Sequence, residues 1–167
     1  ESSPKNCAPG KNCLFEPNVN VSIRNRQPGS SFKPFAYAGA FKKGYTPDTL
    51  FYDLITNFGG GYIPKDYDLR TRGPVTMKQG LAQSLNIPSV KTLYLAGINE
   101  TIDLAKSMGI TTLNEPERYG LSLVLGGGEV KLLDETAAFG VFANEGIKCE
   151  KTPILKVENS QGKILEE

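Results

Sequence analysis

The chain has 167 residues, 39% of them hydrophobic and 22% charged, and its 19 Lys and Arg against 18 Asp and Glu leave a net charge of +1. That length fits one domain or a piece of one, and the charge balance gives no electrostatic footprint for nucleic acid or an anionic membrane. There is no histidine, which excludes a Ser–His–Asp triad, a Cys–His dyad, His-ligated zinc and haem on a proximal His, and leaves acid–base chemistry to Lys, Tyr, Asp, Glu or Cys.

Residues 1–20 carry Pro4, Pro9, Gly10 and Pro17 with little periodicity and read as an irregular N-terminal arm. The start, Glu1–Ser2–Ser3–Pro4–Lys5, is polar, lacks Met and holds no signal-peptide core, as a processed or excised fragment would. No apolar run reaches the roughly 18 residues a membrane span needs. Cys7 and Cys13 bracket a Pro9–Gly10 turn. They read either as a disulfide, which would fit an oxidising compartment, or as two free thiols. Cys149 reads as a free or buried thiol, and three cysteines cannot make a structural zinc site without His or carboxylate help.

Val19, Val21 and Ile23 alternate as in a short strand. After the turn signal Gln27–Pro28–Gly29, a helix is predicted from about Ser30 to Lys43. Its apolar face is Phe32, Phe35, Ala36, Gly39 and Ala40, with Gly44 as a left-handed cap. Residues 45–73, rich in Gly, Tyr, Asp and Pro, read as a long loop. Within it, Gly59–Gly60–Gly61 with Tyr62 and Tyr67 could line a substrate groove but reads rather as a flexible surface loop. Pro74 looks like the first position of a helix to about Gln83. Leu85–Asn86–Ile87 interrupts, Pro88 starts a helix to Ala96 capped by Gly97, and Asn99 caps one to Met108. Residues 110–130 are mixed, with Gly126–Gly127–Gly128 as a tight turn after the apolar Leu121–Leu125. A helix from Lys131 to Asn144 is predicted to bury Leu133, Ala137, Gly140 and Val141, with Asp134 and Glu135 suiting its dipole. Thr152–Val157 and Lys163–Leu165 read as a hairpin. The fold class is α+β and mostly helical, with too few strands for the sheet such helices pack on.

Without histidine, a serine nucleophile needs another base, and a lysine with a lowered pKa can serve. Ser30 and Lys33 stand one helical turn apart, with Ser30 at a helix N-terminus whose free N–H groups favour a developing negative charge. Ser2–Lys5 and Ser160–Lys163 share the spacing, but one lies in a Pro-broken arm and the other in a hairpin turn. By spacing alone the plainer reading of Ser30 and Lys33 is a capping serine and a solvent-facing lysine. Ser84–Leu85–Asn86 is the only Ser-x-Asn in the chain and lies between two predicted helices, where a hydroxyl and an amide can face one cleft. The plainer reading there is a serine at one helix end and an asparagine starting the next.

Taken together these segments resemble a known family. Arg26-Gln-Pro-Gly-Ser-Ser-Phe-Lys-Pro-Phe35 is similar to the active-serine segment of class A, bifunctional penicillin-binding protein transpeptidases. Lys43–Pro47, Gly73–Thr76, Ala82–Pro88, Tyr119–Val130 and Gly140–Asn144 continue the resemblance over roughly residues 18–165. It implies a partial β-lactamase/transpeptidase-like domain over 21–167 with the central sheet largely absent. It also implies a D,D-transpeptidase that uses no cofactor or metal. Ser30 would be acylated by a D-Ala–D-Ala stem peptide or a β-lactam, with Lys33 as general base. Ser84 would relay the proton, and Asn86 would bind Lys33 or the substrate amide. The implied partners are peptidoglycan stem peptides and β-lactams. The implied parent protein is membrane-anchored, carries a glycosyltransferase domain and works outside the cytoplasmic membrane, in the periplasm or at the cell surface. A serine β-lactamase or D,D-carboxypeptidase, and a non-catalytic β-lactam sensor or peptidoglycan-binding module, are the alternatives. The family's third motif, Lys-Thr/Ser-Gly, has no match: Lys91–Thr92 precedes Leu93, and Lys151–Thr152 precedes Pro153. Weak or no catalysis by this piece alone is the expectation.

Overall fold

The computed structural model describes residues 19–166. The expected arm, and with it Cys7 and Cys13, lies outside the described residues apart from Val19 and Asn20. Cys149 is free and exposed.

The predicted first helix is a 3-10 turn, Gly29–Phe32, running into α1, Lys33–Lys42. All five residues of its predicted apolar face are buried. So are Lys33 and Tyr37, so α1 is enclosed well beyond one stripe. Residues 45–73 are not all loop. β2, Leu50–Asp53, pairs antiparallel with β3, Gly73–Thr76, and turns Phe51 and Asp53 inward. Pro74 is therefore a strand residue, opposite Tyr52. In a two-stranded ribbon a proline can face the open edge. The helix that Pro74 was expected to start is α2, Met77–Ala82, opened by a capping box: Thr76 accepts from the Gln79 backbone while the Gln79 side chain accepts from Thr76 N–H.

α3, Asn86–Ala96, starts two residues before Pro88 and ends at Gly97 as expected. α4, Ile98–Ser107, begins one residue ahead of Asn99, with Gly97 rather than Asn99 in the capping position. Residues 110–130 hold the one-turn helix α5, Pro116–Tyr119, and a 3-10 segment, Gly120–Leu125, before the glycine turn. The predicted strand at Val19–Ile23 is instead a turn, because Asn20 accepts the Ser22 and Ile23 amides with its side chain and its carbonyl. The strand falls at β1, Asn25–Arg26, antiparallel to β4, Val130–Lys131. The hairpin is β5, Val157–Glu158, with β6, Ile164–Glu166.

α6, Leu132–Ala143, has its expected span but not its expected face. It buries Asp134, Glu135, Ala138 and Val141. Leu133 and Gly140 are exposed and Ala137 is half-buried. Polar anchors set this rotation. Asp134 Oδ2 accepts from the backbone and hydroxyl of Thr111, and Lys151 Nζ meets its other oxygen at 2.6 Å. Glu135 Oε1 accepts from Ser31 Oγ at 2.7 Å. Two inward carboxylates at the start of a helix leave Leu132, Leu133, Phe139 and Phe142 38–53% exposed.

The α+β, mostly helical class stands, and the sheets among the described residues are three two-stranded ribbons. α3 is the central element, packed on α1, α2, α4, β2 and the 3-10 segment. One core gathers Phe32, Phe35, Val90, Leu93, Ile102 and Leu123, and a second gathers Tyr37, Phe51, Met77 and Leu85. Lys33 lies in the α1 stretch between Phe32 and Tyr37, one from each core. No helix among the described residues is long and apolar enough to cross a membrane.

Candidate active site

Lys33 is the first residue of α1 and is 1% exposed, so the solvent-facing reading fails. Its Nζ donates to Ser84 O at 2.6 Å, lies 3.1 Å from Ser84 Oγ, and donates to Asn86 Oδ1 at 2.8 Å. Three of the four expected site residues thus meet across 51 residues of sequence. Burial lowers the Lys33 pKa to about 8, against the opposing pull of the Asp66 carboxylate. Two of the three neighbours, a carbonyl and an amide oxygen, can only accept. A neutral amine can donate to both and still aim its lone pair at a hydroxyl.

Ser30 sits in the 3-10 turn just ahead of Lys33 and is exposed. Among the described residues no hydrogen bond joins its Oγ to Lys33. The turn is held from two sides. Ser31 Oγ lies within hydrogen-bond distance of Pro28 O and Glu135 Oε1, at 2.6 and 2.7 Å. Gly126, in the left-handed region at φ +96°, lies flush against Gly29, and a Cβ there would fall 2.6 Å from Gly29 Cα. The glycine turn therefore seats the serine turn.

Ser84 owes its position to the end of α2. Its N–H bonds to Leu81 O and that of Leu85 to Gly80 O, both at 2.9 Å. This is a Schellman closure, in which the residue at Ser84 must be left-handed and is usually glycine. Gly44 fills the same place after α1, with φ +94°. Ser84 fills it with φ +53°. A serine held where glycine fits better is strain kept with its hydroxyl 3.1 Å from Lys33 Nζ.

Asn86 opens α3 with no capping side chain at Leu85. The buried Asp66 supplies the cap, its Oδ1 accepting from the amides of Asn86 and Ile87. The Asn86 amide nitrogen donates to Lys65 O at 2.8 Å, which leaves its oxygen for Lys33. Behind Asp66, Arg72 gathers three carboxylates: Asp66 at 3.5 Å, Asp53 at 3.8 Å and Asp68 at 2.9 Å. The sequence reading missed Asp66, Glu135 and the second role of Gly126. Its one available signal for Asp66 was a helix start at Asn86 with no local cap. Among the described residues no group of His, Cys, Asp and Glu is arranged to hold a metal.

A serine acyl transfer can use a buried, neutralisable lysine one turn after an exposed serine. The sequence model described as "Penicillin binding protein transpeptidase domain" matches residues 7–141. The chain belongs to this penicillin-binding transpeptidase family. Similar curated relatives are penicillin-binding protein 1A of Aquifex aeolicus (strain VF5), 37% identical over 149 residues, 85% of this chain and 20% of that one. Penicillin-binding protein 1A of Neisseria lactamica is 34% identical over 145 residues, 83% of this chain and 18% of that one. The crystal structure of penicillin-binding protein 1A from Haemophilus influenzae superposes with a TM-score of 0.74 at 31% identity, over 88% of this chain and 22% of that one. The PonA1 structure from Mycobacterium tuberculosis, at 23% identity over 89% of this chain and 42% of that one, shares the fold with a TM-score of 0.76. The chain spans about a fifth of the length of the curated relatives it matches. The resemblance read from Arg26–Phe35 and Ala82–Pro88 is thereby borne out at the level of the family, and so is the fold class it implied.

Proposed function

We propose that this chain supplies the nucleophile, the base and the Ser-x-Asn wall of a peptidoglycan D,D-transpeptidase. Lys33 Nζ, fixed between Ser84 and Asn86, carries this reading. Ser30 Oγ attacks the carbonyl of the penultimate D-Ala of a stem peptide while the neutral Lys33 takes its proton. Ser84 Oγ, 3.1 Å from that nitrogen, passes the proton to the departing D-alanine amine. The acyl group then moves to the amine of a second stem peptide. A β-lactam would acylate Ser30 by the same attack. Asn86 holds the lysine and borders the cleft where a substrate amide would lie. The substrate lies outside the cytoplasmic membrane, so the parent protein is proposed to act there, membrane-anchored and with a glycosyltransferase domain beside this one. The 167 residues alone have no Lys-Thr/Ser-Gly and are expected to acylate slowly.

Intact-mass analysis of the full-length protein after incubation with benzylpenicillin tests the proposal. One adduct is expected, absent in Ser30→Ala. An adduct that persists in Ser30→Ala refutes the nucleophile. Release within seconds would assign a β-lactamase instead.

A further inference from the structure

Asp66 belongs to neither motif, yet its side chain is fully buried. Its Oδ1 takes the first two amides of α3, and the carbonyl of its neighbour Lys65 takes the Asn86 side-chain nitrogen. The Lys65–Asp66 pair therefore grips Asn86 by backbone and by side chain. The second grip decides which end of the amide meets Lys33. We propose that Asp66 is a positioning residue of the acyl-transfer site: it anchors the start of α3, and with it Asn86 beside Lys33 Nζ, and sets one negative charge behind the general base.

The inference rests on the acyl-transfer reading and deepens it. Burial by itself would push Lys33 further toward the neutral amine, and Asp66 opposes that push. A lysine pulled both ways keeps a usable affinity for the proton it must take and return. The charge is local. On the β2–β3 side Arg72 holds Asp66, Asp53 and Asp68 together. Burial, and Asp66 beside it, push the Asp53 carboxyl up. From α1 Tyr37 faces Asp66, and from α3 Lys91 faces Asp53.

Two variants of the full-length protein separate the parts. Asp66→Asn keeps an oxygen for the two amides and removes the charge. Asp66→Glu keeps the charge and lengthens the arm. The readouts are the Lys33 side-chain titration by carbon NMR and the rate of adduct formation with a fluorescent penicillin across pH. In Asp66→Asn the Lys33 titration and the acid limb of the rate are expected to move together to lower pH, by about half a unit or more. In Asp66→Glu the titration stays and the plateau falls about tenfold or more, as for a site displaced by a fraction of an ångström. An unmoved titration in Asp66→Asn overturns the inference, as does an unchanged plateau in Asp66→Glu. If Asp66→Asn does not fold, Asp66→Glu decides, and an unchanged plateau rate overturns the inference. The titration reads Lys33 whether or not penicillin adds to Ser30. A wild-type protein that gains no adduct therefore overturns the acyl-transfer reading separately.

Discussion

Lys33 and Ser84 each occupy a place that their chemistry makes costly. An amine 1% exposed loses hydration, and the loss falls on the charged form. The neutral base is the form present above the pKa, so acylation of Ser30 by penicillin is expected to rise with pH and level off above about 8, a profile that stopped-flow labelling reads. Ser84 bears its cost in the backbone, with φ +53° where Gly44 closes the preceding helix. Ser84→Gly relieves that conformation and Ser84→Ala does not. Both remove the hydroxyl, so both are expected to slow acylation, while the glycine variant is the more stable by about 1 kcal/mol in chemical denaturation. Equal stabilities would mean the turn carries no strain. Lys33 and Ser84 were both legible in the sequence as types at a spacing. Burial and φ were not, because each is set by segments distant along the chain.

Elements show a sharper division. α1, with its apolar face and Gly44 cap, follows from local spacing. α2 was misplaced because Pro74 drew the start, although the Thr76–Gln79 capping box was there to be read. The face of α6 could not be read locally. Leu133 and Gly140 fit an apolar stripe, yet the buried carboxylates of Asp134 and Glu135, bound to Thr111, Lys151 and Ser31, turned the helix. Two glycine substitutions follow from these placements with opposite signs. Gly126→Ala puts a Cβ 2.6 Å from Gly29 Cα at a left-handed φ, and is expected to cost about 3 kcal/mol or more and to displace the serine turn. Gly140→Ala meets nothing within 4 Å in a helix interior, and is expected to stabilise this chain by about 0.5–1 kcal/mol. Thermal melting of the pair checks both signs.

Across the whole molecule, a few buried charges tie elements that hydrophobic packing only gathers. Asp134 joins α6 to the loop after α4 and to Lys151. Burial pushes its pKa up, but the Lys151 and Thr111 bonds outweigh this and hold the carboxyl below the usual aspartate range. With the folded pKa depressed, the stability it adds is complete above the unfolded value of about 3.9 and is lost as pH falls through the folded value. Asp134→Asn is expected to cost about 1–3 kcal/mol at neutral pH and to flatten the acid end of the stability curve, measured by denaturant unfolding from pH 2 to 7. A cost that stays constant down to pH 2 would show that the carboxylate's charge plays no part.

By itself, the sequence determined the family and the mostly helical class. It also pointed to Ser30, Lys33, Ser84 and Asn86, of which the last three meet in the structure, because Ser-x-x-Lys and Ser-x-Asn are written in adjacent residues. Only the tertiary structure decided that Lys33 is buried, that Asp66 caps α3 from 20 residues upstream, and that Gly126 seats Ser30. Each of those depends on desolvation or close approach between segments far apart in the chain. Such contacts arise from how the helices pack, which no local pattern of residues records.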